Sequence, residues 1–243
     1  MTRFNMDVIN DSITFDKHLL ALSLEETGEP FVSLQMLCQK NHVHMVFSGG
    51  KKNLYWLRLS VASALLKAAQ RLYAQGYLLV LEDAYRSLSV QKKKFIHEVT
   101  QVKKNYPGVS VNKARKMANT FVAGIPILAA HTAGAAVDLT ICTLRGKPVD
   151  MGCPYLSFSE KTITQCPIVS KEAKKNRKIL VTAMESAGFS NYPFEYWHFS
   201  MGDVCDAYLK HDKKAVYGPV ELDRNTGTGE SIFTKKECYA FFQ

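Results

Sequence analysis

Hydrophobic and polar positions along the chain alternate in two ways, at helical and at strand spacing. Between residues 57 and 73 the apolar residues recur every three or four positions, which predicts an amphipathic helix that ends at Gly76. The run 77–81 is short, almost wholly apolar, and bounded by a glycine and by acidic residues, as is typical of a buried strand. The same patterns predict helices at about 89–104, 111–122 and from Ser170 to Gly188, and strands at 136–141 and 194–199.

The order of these elements indicates the fold class. Helices and strands follow one another irregularly and not as repeating βα units, which favours an α+β fold in a single domain, with a central antiparallel sheet flanked by helices. Residues 1–45 show only loop and short-strand patterns and are interpreted as an N-terminal extension. Residues 46–212 form the main domain in this interpretation, and the polar residues 213–243 form a C-terminal tail.

Composition and charge exclude some classes of function. The formal net charge is +9, but the lysines lie in small separate groups and no known nucleic-acid motif occurs, so a solvated basic surface is expected and no nucleic-acid partner. No apolar run is long enough to cross a bilayer, and the first residues lack the apolar segment of a signal peptide. A cytoplasmic protein is therefore expected, although a secreted or periplasmic form without its signal would show the same sequence. The oligomeric state is not indicated.

Two histidines are candidate metal ligands. His131 begins the segment HTAGAAVD, which ends at Asp138, and His198 ends the segment EYWH, which begins at Glu195. A catalytic zinc ion takes three protein ligands of nitrogen or oxygen type and leaves one position for water. A carboxylate that is not a ligand must then take a proton from that water, and Glu195 is close enough in sequence to His198 to do so. Each candidate ligand also has a structural interpretation: His131 as a loop histidine, Asp138 as a turn cap and His198 as a satisfied core histidine.

Cysteine ligands are not expected. The six cysteines show no C-x-x-C spacing, and a chain of this length does not depend on a disulfide framework. Reduced thiols outside the metal site are therefore predicted, because thiolate zinc sites usually use paired cysteines.

The candidate residues belong to an ordered set of motifs. An Asp-x-Tyr-Arg segment at 83–86 follows a predicted strand, H-x-x-G-x-A-x-D enters the next strand, and E-x-W-H comes near the end. Over about residues 45–210 this set resembles the zinc D-alanyl-D-alanine peptidases, in particular the dipeptidases of the vancomycin-resistance type. The resemblance implies one zinc ion per chain, held by His131, Asp138 and His198. It also implies hydrolysis of D-alanyl-D-alanine, or of a similar small D,D-dipeptide, by metal-bound hydroxide.

The resemblance implies two catalytic residues beside the ligands. Glu195 is the implied general base, which later protonates the leaving amine, and Arg86 is the implied cation that stabilises the oxyanion. An arginine suits this role because it keeps its charge and presents donors in a fixed geometry. An ion pair with Asp83 or Glu82 is the structural alternative for Arg86, and Asp83 could also hold the arginine in place.

Some positions differ from the family pattern and leave other functions open. Alanines at 129–130 and 133 stand where the family has a serine and an arginine, which affects substrate recognition and leaves the metal and base positions untouched. A peptidoglycan D,D- or L,D-carboxypeptidase could use the same catalytic set. A non-catalytic zinc-binding recognition module is the alternative from another class, but such a module needs neither Glu195 nor Arg86.

Two local geometries are predicted around the ligands. Residues three apart in a regular strand point to opposite faces, so Glu195 and His198 can serve one ion only if the backbone there is irregular. Trp197, between them, is expected to pack in the core. Gly134 is expected in a tight turn between the first two ligands, where a Cβ would crowd the backbone.

Overall fold

The computed structural model describes residues 6–48, 55–157, 159–231 and 235–242. In these ranges the α-helices are α1 (Met6–Leu20), α2 (Leu34–Lys40), α3 (Leu59–Ala74), α4 (Leu88–Asn105), α5 (Val111–Asn119), α6 (Lys171–Glu185), α7 (Val204–Leu209) and α8 (Lys235–Cys238). The strands are β1 (Ser23–Leu24), β2 (Phe31–Ser33), β3 (Met45–Phe47), β4 (Trp56–Arg58), β5 (Tyr77–Asp83), β6 (Ala136–Thr143), β7 (Ser190–Asn191), β8 (His198–Ser200), β9 (Lys214–Ala215), β10 (Glu221–Asp223) and β11 (Thr228–Glu230). Short 3-10 helices span Pro126–Leu128, Ala130–Ala133 and Glu160–Thr162.

This mixture of helices and strands confirms the predicted α+β class. Three of the four predicted helices begin where serine side chains cap them: Ser87, Ser110 and Ser170 each accept a hydrogen bond from a backbone N–H three residues on. Helix α1 was not predicted, because the asparagine, aspartates and threonine within it weaken its intrinsic helix propensity. Burial of Ile9 and Leu19 compensates for that weakness.

The chain forms two compact units. One consists of Glu29–Tyr85 and Gly134–Met201. It contains a five-stranded sheet in the order β3-β5-β6-β8-β7, with α3 packed on β5 and on α6, and a separate antiparallel pair of β2 and β4. The predicted antiparallel sheet is wrong at one edge, because β3 pairs with β5 in parallel while the other neighbours are antiparallel. The chain passes through α3 between β3 and β5, and a crossover of this kind returns the second strand parallel to the first.

The other unit consists of Met1–Gly28, Arg86–Ala133 and Gly202–Gln243. Its core is built mainly from apolar side chains of α1, α4 and α5: Ile9, Phe95, Val102, Ala114, Met117 and Ala118. Two small sheets lie in this unit, a parallel pair of β1 and β9 and an antiparallel hairpin of β10 and β11. Among the described residues, no helix combines the length and the hydropathy that crossing a membrane requires.

Candidate metal centre

The register of two neighbouring strands brings Asp138 and His198 together. Asp138 on β6 lies directly opposite His198 on β8, and residues paired in this way project from the same face of an antiparallel sheet. His198 Nδ1 lies 2.9 Å from Asp138 Oδ1. Their neighbours Val137 and Phe199, which are also paired, project to the opposite face and are fully buried. Strand alternation therefore separates the two polar side chains from the core side chains.

His131 belongs to the 3-10 helix Ala130–Ala133, immediately before β6, and its side chain is buried. The chain turns at Gly134, which has a φ of 65° in the left-handed region. A Cβ at Gly134 would overlap the ring of Phe31, so only glycine fits this turn. The predicted tight turn is confirmed, but the group that excludes a Cβ is an aromatic ring and not the backbone.

The three predicted ligands converge. One ligand atom each from His131, Asp138 and His198 lie within 4.8 Å of one another. In a tetrahedral zinc site with bonds of about 2.1 Å the ligand atoms lie about 3.4 Å apart, so separations of up to 4.8 Å are close to those that one ion requires. Two nitrogens and one carboxylate oxygen are also the donors of many catalytic zinc sites. The residues present therefore fit a zinc ion.

Arg86 is connected to the first ligand through the backbone. Its N–H donates to the carbonyl oxygen of His131 over 3.1 Å. Its side chain donates from Nη1 to Gln91 Oε1 over 3.1 Å, and Gln91 Nε2 donates to the carbonyl oxygen of Ala123 over 2.8 Å. Gln91 is only 2% exposed, so its side of both hydrogen bonds is buried.

The sequence analysis did not single out Gln91. The signal that could have found it is a polar residue on the apolar face of a helix, since it lies among the buried positions Leu88, Phe95 and Val102 of α4. A buried amide needs partners for its oxygen and its nitrogen. It is therefore a candidate for holding a neighbouring polar side chain.

Glu195 lies in a turn that leads into β8. Glu195 N–H donates to the carbonyl oxygen of Tyr192, and His198 N–H donates to the carbonyl oxygen of Glu195, each over 3.2 Å. The Asn191 side-chain amide donates to the carbonyl oxygens of both Glu195 and His198. The predicted irregular backbone is confirmed, and the predicted strand 194–199 is wrong before His198, where β8 begins. Each predicted catalytic residue is thus hydrogen-bonded through the backbone to a predicted ligand.

Asp83 ends β5 beside the ligand strand. A β-bulge between Leu81 and Asp83 places Asp83 opposite Asp138 in the register of β5 and β6. Asp83 Oδ1 accepts a hydrogen bond from the N–H of Ala84 over 3.0 Å, and the side chain is buried. Its predicted role in holding Arg86 stays a prediction.

Aromatic residues surround Asp138. Tyr155 donates from its hydroxyl to Asp138 Oδ2 over 2.8 Å, and its ring packs edge-to-face against Trp197 with 5.4 Å between centroids. Trp197 is buried, as predicted. Tyr155 was not predicted, because it lies in a connection punctuated by glycine and proline whose path cannot be inferred from periodicity. None of the five free cysteines that the structure describes belongs to the ligand cluster.

Two histidines and one carboxylate are a donor set typical of mononuclear zinc enzymes, and this α+β fold brings such a set together. The family model described as D-ala-D-ala dipeptidase matches residues 34–214, a stretch that includes every predicted site residue, and the chain belongs to this peptidase family. The match confirms the predicted family and the predicted enzyme class, a metallopeptidase of the D-Ala-D-Ala dipeptidase type.

Two relatives and one solved structure illustrate what the chain is similar to. A D-alanyl-D-alanine dipeptidase of Synechocystis sp. is 28% identical in an alignment that covers 84% of this chain and 97% of the relative. The D-alanyl-D-alanine dipeptidase of Enterococcus faecium is 30% identical over 59% of this chain and 71% of the relative. Among solved structures, the LdcB LD-carboxypeptidase is similar with a TM-score of 0.47 and 20% identity, over 81% of this chain and 87% of that one.

Proposed function

We propose that this chain hydrolyses D-alanyl-D-alanine, or a similar small D,D-dipeptide, with one zinc ion held by His131, Asp138 and His198. The observation that carries the proposal is the convergence of these three side chains to within 4.8 Å, at positions inside the family match. The relatives matched over most of their own length carry the same activity in their names. When bound, zinc would supply a Lewis acid and make water a nucleophile at neutral pH.

Glu195 is the proton carrier in this proposal. The water oxygen bonds to the carbonyl carbon of the substrate, and the water proton passes to a carboxylate oxygen of Glu195. The bond from carbon to nitrogen then breaks, and the same carboxyl group gives its proton to the leaving amine. Its half-buried position in the turn before β8 supports this role, because the hydrogen bond from His198 N–H to Glu195 O fixes the turn beside a ligand.

Arg86 stabilises the negative charge that develops on the carbonyl oxygen. A guanidinium keeps its charge at all relevant pH values and presents its donors in one plane. The hydrogen bond to the buried Gln91 fixes the orientation of that plane, so that little reorganisation is needed when the charge appears.

A panel of peptides tests the function. The zinc-loaded protein is incubated with D-Ala-D-Ala, L-Ala-D-Ala, L-Ala-L-Ala and a peptidoglycan stem pentapeptide that ends in D-Ala-D-Ala. We expect the free D,D-dipeptide to be cleaved with the highest kcat/KM. Cleavage of the pentapeptide alone would identify a carboxypeptidase instead, and no cleavage of any peptide would leave only a zinc-binding module.

Histidine variants test the ligand assignment. His131→Ala and His198→Ala should each abolish tight zinc binding, measured as zinc per chain after dialysis, and His97→Ala is the matched control because His97 is exposed on α4. Full zinc retention in both ligand variants would remove the assignment. Since ligand histidines must be deprotonated, zinc affinity should also fall on acidification.

A further inference from the structure

The two carboxylate oxygens of Asp138 have different partners. Oδ1 lies 2.9 Å from His198 Nδ1, and Oδ2 accepts the hydrogen bond from the Tyr155 hydroxyl over 2.8 Å. Asp138 is only 2% exposed. In such surroundings water does not compete for the carboxylate, so the tyrosine hydrogen bond is stronger than it would be at the surface.

The Tyr155 ring is held by its surroundings. It packs against Trp197, whose carbonyl oxygen accepts the N–H of Leu139, the residue after Asp138, over 2.9 Å. The residue after Tyr155, Leu156, has a φ of 60° and a side chain that is 65% exposed. A left-handed conformation costs a non-glycine residue about 1–3 kcal/mol and persists only where the neighbouring structure imposes it. The Leu156 side chain is too exposed to hold its own backbone in this left-handed conformation.

The buried Arg177 and the ring of Tyr196 hold the segment that precedes Tyr155. Arg177 Nε donates to the carbonyl oxygen of Met151 over 2.7 Å, and its guanidinium lies 4.4 Å from the centroid of the Tyr196 ring. The Tyr196 hydroxyl in turn donates to the carbonyl oxygen of Cys153 over 2.8 Å. The segment before Tyr155 is therefore tied to α6 and to the turn before β8, and the hydroxyl of Tyr155 is placed by rigid parts of the fold.

We propose that Tyr155 is a positioning residue for Asp138, occupying Oδ2 so that Asp138 offers only Oδ1 to the metal ion. This inference rests on the proposed function, since it takes Asp138 as a ligand. An aspartate without such a donor can rotate or bind an ion through both oxygens. The tyrosine hydroxyl selects one orientation of the carboxylate, in which Oδ1 faces His198. Partners that orient a ligand in this way typically contribute about 10–100-fold to metal affinity.

Tyr155→Phe is the sharpest test, because it removes one oxygen and keeps the ring that packs on Trp197. We expect its apparent Kd for zinc, measured by competition with a chelator, to rise about 10–100-fold. The metal-free variant should still fold, with a lower Tm because a buried carboxylate oxygen loses its donor. Tyr73→Phe on α3 is the matched control, because it removes the same hydroxyl from a side chain that is 46% exposed, and its zinc affinity should equal that of the wild type.

The outcomes separate this inference from the proposed function. A wild-type protein that binds no zinc would overturn both. Tight zinc binding by the wild type, with a Kd for Tyr155→Phe within about twofold of it, would overturn the inference alone. The visible absorption of the Co²⁺-substituted protein provides a readout that a merely structural role would not change. The bands should differ between Tyr155→Phe and wild type, because the released Oδ2 can reach the ion. Identical bands would contradict the proposal that the Tyr155 hydroxyl enforces single-oxygen binding.

Discussion

Replacing Gln91 tests whether the orientation of Arg86 matters for catalysis. Gln91→Met keeps the length and volume of the side chain but removes both the acceptor for Arg86 Nη1 and the donor to the Ala123 carbonyl oxygen. Because Gln91 is 2% exposed, water cannot enter to take the place of the lost acceptor and the lost donor. The guanidinium then loses the contact that orients its plane.

The two lost hydrogen bonds set the expected magnitudes. A hydrogen bond to a charged group contributes about 1.5–3 kcal/mol, and leaving a buried carbonyl without its donor costs about 1–3 kcal/mol, so the Tm should fall measurably. Complete loss of an oxyanion donor typically costs about 10²–10³-fold in kcat, which is the upper limit for misplacing Arg86. We therefore expect kcat of Gln91→Met to fall about 10–100-fold, with KM little changed.

A double-mutant cycle tests whether Gln91 acts on catalysis through Arg86. The assay measures kcat and KM on D-Ala-D-Ala for wild type, Gln91→Met, Arg86→Ala and the double variant, at a temperature where all four are folded. If Gln91 acts through Arg86, adding Gln91→Met to Arg86→Ala should change kcat no further. Gln101→Met, on the same helix, is the control and should leave kcat unchanged. An equal loss of kcat from Gln91→Met in the wild-type and Arg86→Ala backgrounds would refute the reasoning.

Three further predictions concern proton transfer, pH and the ligand turn. Glu195→Gln should keep its zinc but lose about 10²–10⁴-fold in kcat, and a near-normal rate would eliminate the proton-transfer role. Burial raises the pKa of Asp16 to about 7, so between about pH 4 and 7 the folded state keeps a proton on Asp16 that the unfolded state has lost. The free energy of unfolding should therefore fall as pH rises from about 4 to 7, by at most about 4 kcal/mol. Urea unfolding should then show Asp16→Asn more stable than wild type at pH 8 and equal to it below pH 4. Equal stabilities at both pH values would contradict this. Gly134→Ala should lower the unfolding free energy by about 2 kcal/mol or more, because the positive φ and the Phe31 ring leave no room for a Cβ. Gly108→Ala, whose Cβ meets open space, should leave the unfolding free energy nearly unchanged, and an equal loss of stability in both variants would contradict this prediction.

The site was more predictable than the sheet. His131, Asp138 and His198 were predicted from residue type, order and the family resemblance, and the structure brings one ligand atom of each to within 4.8 Å of the others. Asp138 and His198 lie on strands that pair next to one another, and His131 lies just before the first of them. The irregular turn before His198 followed from assigning Glu195 and His198 to one ion, because a regular strand cannot aim both side chains at it.

The remaining features depend on contacts between residues far apart in the sequence. The parallel pairing of β3 with β5 arises from the crossover through α3, which periodicity does not reveal. Helix α1 is stabilised by burial against other elements and not by its own propensity. Tyr155 meets Asp138 across 17 residues of irregular chain, whose path depends on the hydrogen bonds of Arg177.

A zinc titration of activity tests the central claim most directly. Protein stripped of metal with a chelator is dialysed and titrated with zinc, while the release of D-alanine from D-Ala-D-Ala is measured. The account predicts negligible release without zinc, a rate that rises in proportion to added zinc, and a plateau at one zinc per chain. Undiminished hydrolysis by the stripped protein, or no hydrolysis at any zinc concentration, would contradict it.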